Sequence, residues 1–321
     1  MLQVLTNNIL PVFSILALGF LCGRIHLISR EEATTLNRIA FLILQPALIY
    51  PLISNADIGL FHFDAIFLYG FCQFVVFLIT FFLCLYVLKL DIIESWLLAM
   101  CTIFVNGLLY IWPISELIYG VDNNYPITAL VIWDASIMFA FFIISTEFLS
   151  NRKSKIKPII LKLVKNPVLI AICLGVLANL SNFSTPEPVA LAMKFSGAAA
   201  APLTLLALGV ILSFHSIIPT KSVSFVVIIK LLLLPFVVWA ILKIGDRPEI
   251  WNNLTILNSA GPSGAMAFAL AMLHKVNTDK IAPVIVWTST LSLISLAYLM
   301  FGLDFEDQFA LCEQYRNLPL A

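Results

Sequence analysis

Charge is what this sequence has least of. Asp, Glu, Lys and Arg make up only 11% of its 321 residues, and eighteen bases balance eighteen acids. Soluble domains carry about 25% charged residues, so so little charge excludes a conventional aqueous surface. The zero net charge, with no basic cluster interleaved with aromatics, excludes a nucleic-acid partner. Histidine is sparse too: His26, His62, His215 and His274 share no helix face, which leaves no ligand set for a metal. The six cysteines form no CxxC pair and read as small hydrophobes. HExxH, GxSxG, a Walker A loop and a Rossmann glycine triplet are all missing, so neither enzyme chemistry nor a cofactor is expected. The first apolar run lacks a basic start and a cleavage site, and it is expected to be a retained helix.

What is present is hydrophobicity, at 61% of the chain. A single core stops growing near 250–300 residues, so the excess must face lipid. A bilayer core about 30 Å thick takes roughly 20 apolar residues per helix. Ten such runs occur: Val4–Cys22, Leu36–Leu52, Ala65–Leu88, Trp96–Leu117, Ile127–Leu149, Ile159–Leu180, Ala190–Phe214, Val223–Leu242, Trp251–Leu273 and Ile281–Phe301. Loops after odd-numbered runs hold thirteen Lys and Arg and the opposite face four, with Lys230 inside the eighth run. The positive-inside rule then puts the odd loops in the cytoplasm and both termini outside the cell membrane. An offset of 156 residues superposes Pro11, Gly19 and Pro46 on Pro167, Gly175 and Pro202. The expected architecture is therefore an all-α integral membrane fold of ten transmembrane helices in two five-helix repeats. Five is odd, so the second repeat is inverted, an arrangement suited to alternating access. The repeats span residues 1–150 and 166–303, with a basic cytoplasmic linker at 151–165 and a C-terminal tail at 304–321.

Polarity and helix breakers concentrate deep in the fourth and ninth runs. The fourth carries Asn106-Gly107 near its middle and Pro113 beyond; the ninth packs Asn258, Ser259, Gly261, Pro262, Ser263 and Gly264 into seven residues. Proline deletes a backbone N–H and glycine loosens the chain, so both stretches are expected to unwind. Unwound backbone within a membrane persists only where it is buried or lines a cavity. A restarted half-helix aims free N–H groups and a positive dipole end there, a good anion site. Asn106, Gly107, Asn258, Ser259, Gly261, Pro262 and Ser263 are thus the candidate substrate-binding residues. Asp134 and Lys230 lie near the middles of the fifth and eighth runs, where ionisable side chains are costly and usually functional. They read either as a structural ion pair or as an ion-coupling carboxylate and an anion-attracting ammonium. Glu116, Glu147, Lys194 and Lys243 sit nearer run ends and are expected at the interfaces.

Several stretches also carry a resemblance: PVFSILALGFLCGR and LNRIAFLILQPALIY in the first two runs, VNGLLYIWPISELIYG in the fourth, KNPVLIAICLGVL in the sixth, GAAAAPLTLLALGVIL in the seventh, KLLLLPFVV in the eighth and AGPSGAMAFALA in the ninth. In order and spacing the chain resembles the auxin efflux carrier family of transporters, in its bacterial form. That resemblance implies a scaffold of helices 1, 2, 6 and 7, a moving domain of the other six, and broken crossover helices 4 and 9 that meet at the substrate. It implies organic acids as cargo, dicarboxylates in many bacteria and indole-3-acetate in plants. Val105 and the Ile111-Trp112 pair depart from the family pattern, and a tryptophan there would reshape the pocket. The function expected is a secondary permease for small organic anions. Its expected partners are that anion, a coupling proton or sodium ion, the lipid bilayer and, as a homodimer, a second copy of the chain. A bile-acid-type sodium symporter of the same fold is the alternative, followed by a membrane sensor or assembly protein.

The charge bias makes the orientation testable. Cysteines introduced at Asn123 and Ser154 should differ in labelling by an impermeant thiol reagent added outside, Asn123→Cys reacting and Ser154→Cys not. The reverse pattern would overturn the orientation.

Overall fold

The computed structural model of the protein describes residues 10–120, 123–150, 161, 164–214, 219–274, 276 and 279–302. They form α1 (Leu10–Arg24), α2 (Arg30–Ser54), α3 (Phe63–Val87), α4 (Ile92–Ile103), and α5 (a π turn at Gly107–Ile111 continuing as Trp112–Tyr119). There follow α6 (Tyr125–Ser150), α7 (Pro167–Leu180), α8 (Glu187–Ser213), α9 (Lys221–Leu242), α10 (Glu249–Ser259), α11 (Met266–Leu273) and α12 (Ile281–Gly302). Among the described residues there is no strand, and the only β contact is an isolated antiparallel bridge between Val105 and Ser263. By length and composition α2, α3, α6, α8 and α9 could each cross a membrane, and α1, α4, α7 and α12 are apolar over shorter stretches. Most of the expected basic linker, and all of the tail at 304–321, lie outside the described residues. The second helix starts six residues before the expected Leu36, because Ser29 and Glu32 close a capping box that holds the charged first turn helical.

The outer surface is apolar, and the polar side chains of the membrane-length helices are turned into a mostly apolar core. On α3, Phe67, Phe71 and Phe74 point outward, while Tyr69, Gln73 and Thr80 are buried on the opposite face. Leu174, Leu177 and Leu180 on α7, Leu191 and Phe195 on α8, and Leu232 and Phe236 on α9 extend the exposed apolar band. Asp134 and Lys230 lie inside it, both buried. This is the distribution lipid imposes, since lipid rewards no apolar burial and penalises exposed polarity.

Among the described residues five π turns interrupt the helices, at Ala40–Leu44, Leu83–Val87, Gly107–Ile111, Asp134–Met138 and Ile229–Leu233. Three have a proline two residues downstream: Pro46, Pro113 and Pro235. A proline ring clashes with the carbonyl four residues back and leaves it without its donor. Those carbonyls belong to Leu42, Leu109 and Leu231, each at the centre of its π turn. Three of the five turns hold a candidate residue, Gly107, Asp134 or Lys230, consistent with the enrichment of π turns at functional sites.

Two close pairs lie beside the breaks, α1 along α8 and α2 along α7. In the first, Gly19 lies against Leu206 O and Gly209 against Leu16 O, with no room for a Cβ on either. The contacts are reciprocal and backbone-to-side-chain-free, so neither helix can give way by changing a rotamer. Gly209→Ala is therefore expected to cost about 1–3 kcal/mol through overpacking, read as a lower melting temperature in detergent. An unchanged melting curve would show the two helices free to separate.

Candidate functional site

α4 ends at Ile103 and α10 at Ser259, and the two stretches that follow cross one another. Asn106 N donates to Pro262 O at 2.9 Å, and Gly264 N donates to Phe104 O at 2.8 Å. Ser263 is held from two further sides: its N–H donates to Thr288 Oγ1 at 3.1 Å and its hydroxyl to Cys101 O at 2.6 Å. Backbone freed by helix breaking is thus re-paired within the bundle. The glycines serve the closeness of the crossing, not a left-handed backbone. A Cβ on Gly107 would stand 2.8 Å from Asn258 Oδ1, one on Gly261 would stand 2.6 Å from Ile111 Cγ1, and one on Gly264 would stand 2.9 Å from Phe104.

A cavity of about 680 Å³ reaches this crossing. Asn106, Gly107 and Leu108 line it from α5's first turn, and Ala265 and Met266 from the start of α11. The first N–H groups of a helix have no intrahelical partner, so both half-helices border the cavity with their positive ends. Thr34, Asn37, Arg38 and Gln45 on α2, and Asn166 ahead of α7, add polar groups, within walls made mainly of Phe, Leu, Ile and Val. Asp134 and Arg38 are the charged residues among the lining.

Asp134, 5% exposed, belongs to a buried polar chain. Gln73 Nε2 donates to Asp134 Oδ1 at 2.7 Å, and Trp133 Nε1 donates to Gln73 Oε1 at 2.8 Å, which fixes the amide's orientation. On the other side the Tyr69 hydroxyl donates to Asp134 Oδ2 at 3.5 Å and accepts from Asn258 Nδ2 at 3.2 Å. The carboxylate is thereby linked to α3 and to the end of α10.

Residues 151–300 match the family of sequences described as "Membrane transport protein". An "Uncharacterized transporter" of Methanothermobacter thermautotrophicus is 25% identical over 299 residues, covering 91% of this chain and 96% of its own. A "Putative malonate transporter" of Rhizobium meliloti is 24% identical over 309 residues, covering 92% and 95%. By these likenesses the chain reads as a membrane transporter, in keeping with its resemblance to the auxin efflux carriers.

In this membrane transporter the sequence-predicted residues divide into two groups. Asn106, Gly107 and Asp134 line the cavity; Asn258, Ser259, Gly261, Pro262 and Ser263 stand at or beside the crossing and are not among its lining residues. Trp112 does not line the cavity: its indole N–H donates to Glu116 Oε2 at 3.1 Å instead. Tyr69 and Gln73 were missed, because an uncharged polar residue on an apolar helix leaves only a weak signal in sequence. Arg38 was counted as a loop charge, yet it borders the cavity.

Lys230 forms no ion pair with Asp134. Fully buried, it donates from Nζ to Ser259 O, the last carbonyl of α10, at 3.1 Å. Gln73 donates likewise to Ile103 O, the last carbonyl of α4, also at 3.1 Å. Each half-helix thus ends on a buried donor from a neighbouring helix, where the negative end of the dipole favours a cation. The transporter carries a lysine in one place for the work an amide does in the other. Lys230→Met should leave Ser259 O unpaired and cost about 1–3 kcal/mol, whereas Lys230→Gln should keep both the melting temperature and uptake. Equal damage from both variants would show that the site needs charge and not a cap.

Proposed function

We propose that this transporter is a secondary permease for small organic anions, working by alternating access with the substrate bound where the two helix breaks cross. The observation that carries the reading is the cavity of about 680 Å³ bordered by two half-helix N-termini and by Asn106. Backbone N–H groups and positive dipole ends directed at an enclosed space suit a carboxylate. The malonate named for the Rhizobium meliloti relative is a small organic anion of this kind. Ten transmembrane helices in two inverted repeats, residues 1–150 and 166–303, are part of the same reading. Supporting it, the last helical residues before the two breaks, Ile103 and Ser259, are 156 residues apart, the offset that superposes the prolines of the two halves. With the odd loops in the cytoplasm of a cell whose inner membrane holds both termini outside, the Arg38 and Asn166 end of the cavity faces inward. Gly107 and the Asn258–Ser263 stretch shape the site, and a homodimer is the assembly proposed.

Asp134 is the coupling group in this scheme. It lines the cavity, is buried, and has Gln73 and Tyr69 rather than a basic residue as its bonded neighbours. Loading it with a proton or a sodium ion would remove an uncompensated buried charge. The hydrogen bonds through Tyr69 to Asn258 would carry that change to the crossing.

Uptake into proteoliposomes of malonate, succinate and monocarboxylates, under imposed pH and sodium gradients in turn, tests both parts. Asn106→Leu should abolish uptake and binding while the protein stays folded in detergent. Wild-type uptake by that variant would remove the site assignment. Asp134→Asn should still bind substrate but no longer accumulate it against a gradient. Full coupling to both ions in that variant would sink the role given to Asp134.

A further inference from the structure

Buried polar atoms in native proteins almost always have a partner, and those without one ask for an explanation. Of the buried side-chain atoms lacking a hydrogen bond among the described residues, only Thr204 Oγ1, on α8, belongs to a residue that lines the cavity. Helical threonines normally satisfy the hydroxyl on the carbonyl four residues back, as Thr80, Thr128 and Thr288 do here at 2.8, 3.1 and 2.8 Å. Thr204 does not. The Gln45 amide, on α2, is in a similar position: the residue is 8% exposed, lines the same cavity, and its side chain bonds to no described protein group. Neither α2 nor α8 carries any of the residues assigned to the crossing.

We propose that Gln45 and Thr204 form a second subsite in the cavity, which binds an uncharged hydrogen-bonding group at the far end of a monoanionic substrate. The inference rests on the reading of the cavity as an organic-anion site. Both side chains are neutral, and the walls around them are apolar. A second carboxylate placed there would be buried without a countercharge, whereas a hydroxyl or carbonyl needs only the hydrogen bonds that the amide and the hydroxyl offer. Arg38 is the one basic side chain lining the cavity and Asp134 the one acidic, so with Asp134 neutralised by its coupling ion the lining matches one anionic charge. The class of substrate this selects is the hydroxy- or oxo-monocarboxylates, held by the carboxylate at the crossing and by the neutral oxygen at Gln45 and Thr204.

Calorimetric titration of the purified full chain with 4-hydroxybutyrate, butyrate and succinate tests this, in wild type, Gln45→Leu, Thr204→Val and Thr204→Ser. Wild type should bind 4-hydroxybutyrate about tenfold more tightly than butyrate, the effect of one or two hydrogen bonds made in a dry site. Gln45→Leu and Thr204→Val should bind the two equally, and Thr204→Ser should keep the preference. Thr204→Val should melt at or above the wild-type temperature, because it removes an unpaired hydroxyl and no contact. A tenfold preference that survives both apolar variants overturns the subsite, as does a wild type that does not distinguish the two ligands. Binding of succinate alone overturns the subsite and leaves the organic-anion reading standing; binding of none of the three sinks that reading and the subsite with it.

Discussion

Two backbone hydrogen bonds hold this structure's centre together: Asn106 N to Pro262 O and Gly264 N to Phe104 O. Each break would by itself leave peptide groups unpaired within an apolar bundle, at a cost of several kcal/mol per group in the absence of water. Brought together, each break supplies the partners the other lacks. The remaining features follow from that mutual dependence. The glycines at 107, 261 and 264 are there because two backbones cannot approach to hydrogen-bonding distance through side chains. The carbonyls at the ends of α4 and α10 are taken up by Gln73 and Lys230. The N-termini of α5 and α11 are left facing the cavity.

The charges are placed with the same economy. A lysine and an aspartate buried in one bundle invite the expectation of an ion pair, but the structure holds them apart on different partners. Lys230 is stabilised by a carbonyl at the negative end of α10, and Asp134 by the Gln73 amide and the Tyr69 hydroxyl. An ion pair would have neutralised both and left neither available for binding. Separated, they leave Asp134 open to the cavity. Trp133 matters here though it touches no charge: by occupying Gln73 Oε1 it compels the amide to present its NH₂ to Asp134 and Ile103 together.

Around this centre, the helices outside the crossing contribute rigidity and walls. α1 and α8 lie so close that glycine is the only residue either can hold at the contact, and α2 and α7 form the companion pair. Close backbone contact is the usual way for helices to adhere in lipid, where apolar side chains gain nothing by leaving the solvent. The same pairs bring Gln45, Asn166 and Thr204 to the cavity. A site built between a rigid wall and a broken-helix wall can change shape by moving one against the other.

The sequence alone determined the class of protein, because lipid tolerates so few ways of satisfying a backbone that composition and run length decide among them. It also determined where the helices break: Asn106-Gly107 and the Asn258–Ser263 stretch are local signals, and the breaks fall there. The capping box at Ser29 and Glu32 is also a local pattern, but a window set to apolar runs passes over a charged first turn, and the helix start was placed at Leu36. Only the tertiary structure decided which residues reach the cavity. Gly107 and Gly261 were read as sources of flexibility and proved to be points of close approach, since sequence carries no information on what lies across from a glycine. Trp112 turned away from the cavity onto Glu116, and Lys230 found a carbonyl rather than a carboxylate. Gln45, Gln73, Tyr69 and Thr204 left no mark on the chain, because a neutral polar side chain gains its meaning from the partner that folding does or does not bring within 3 Å.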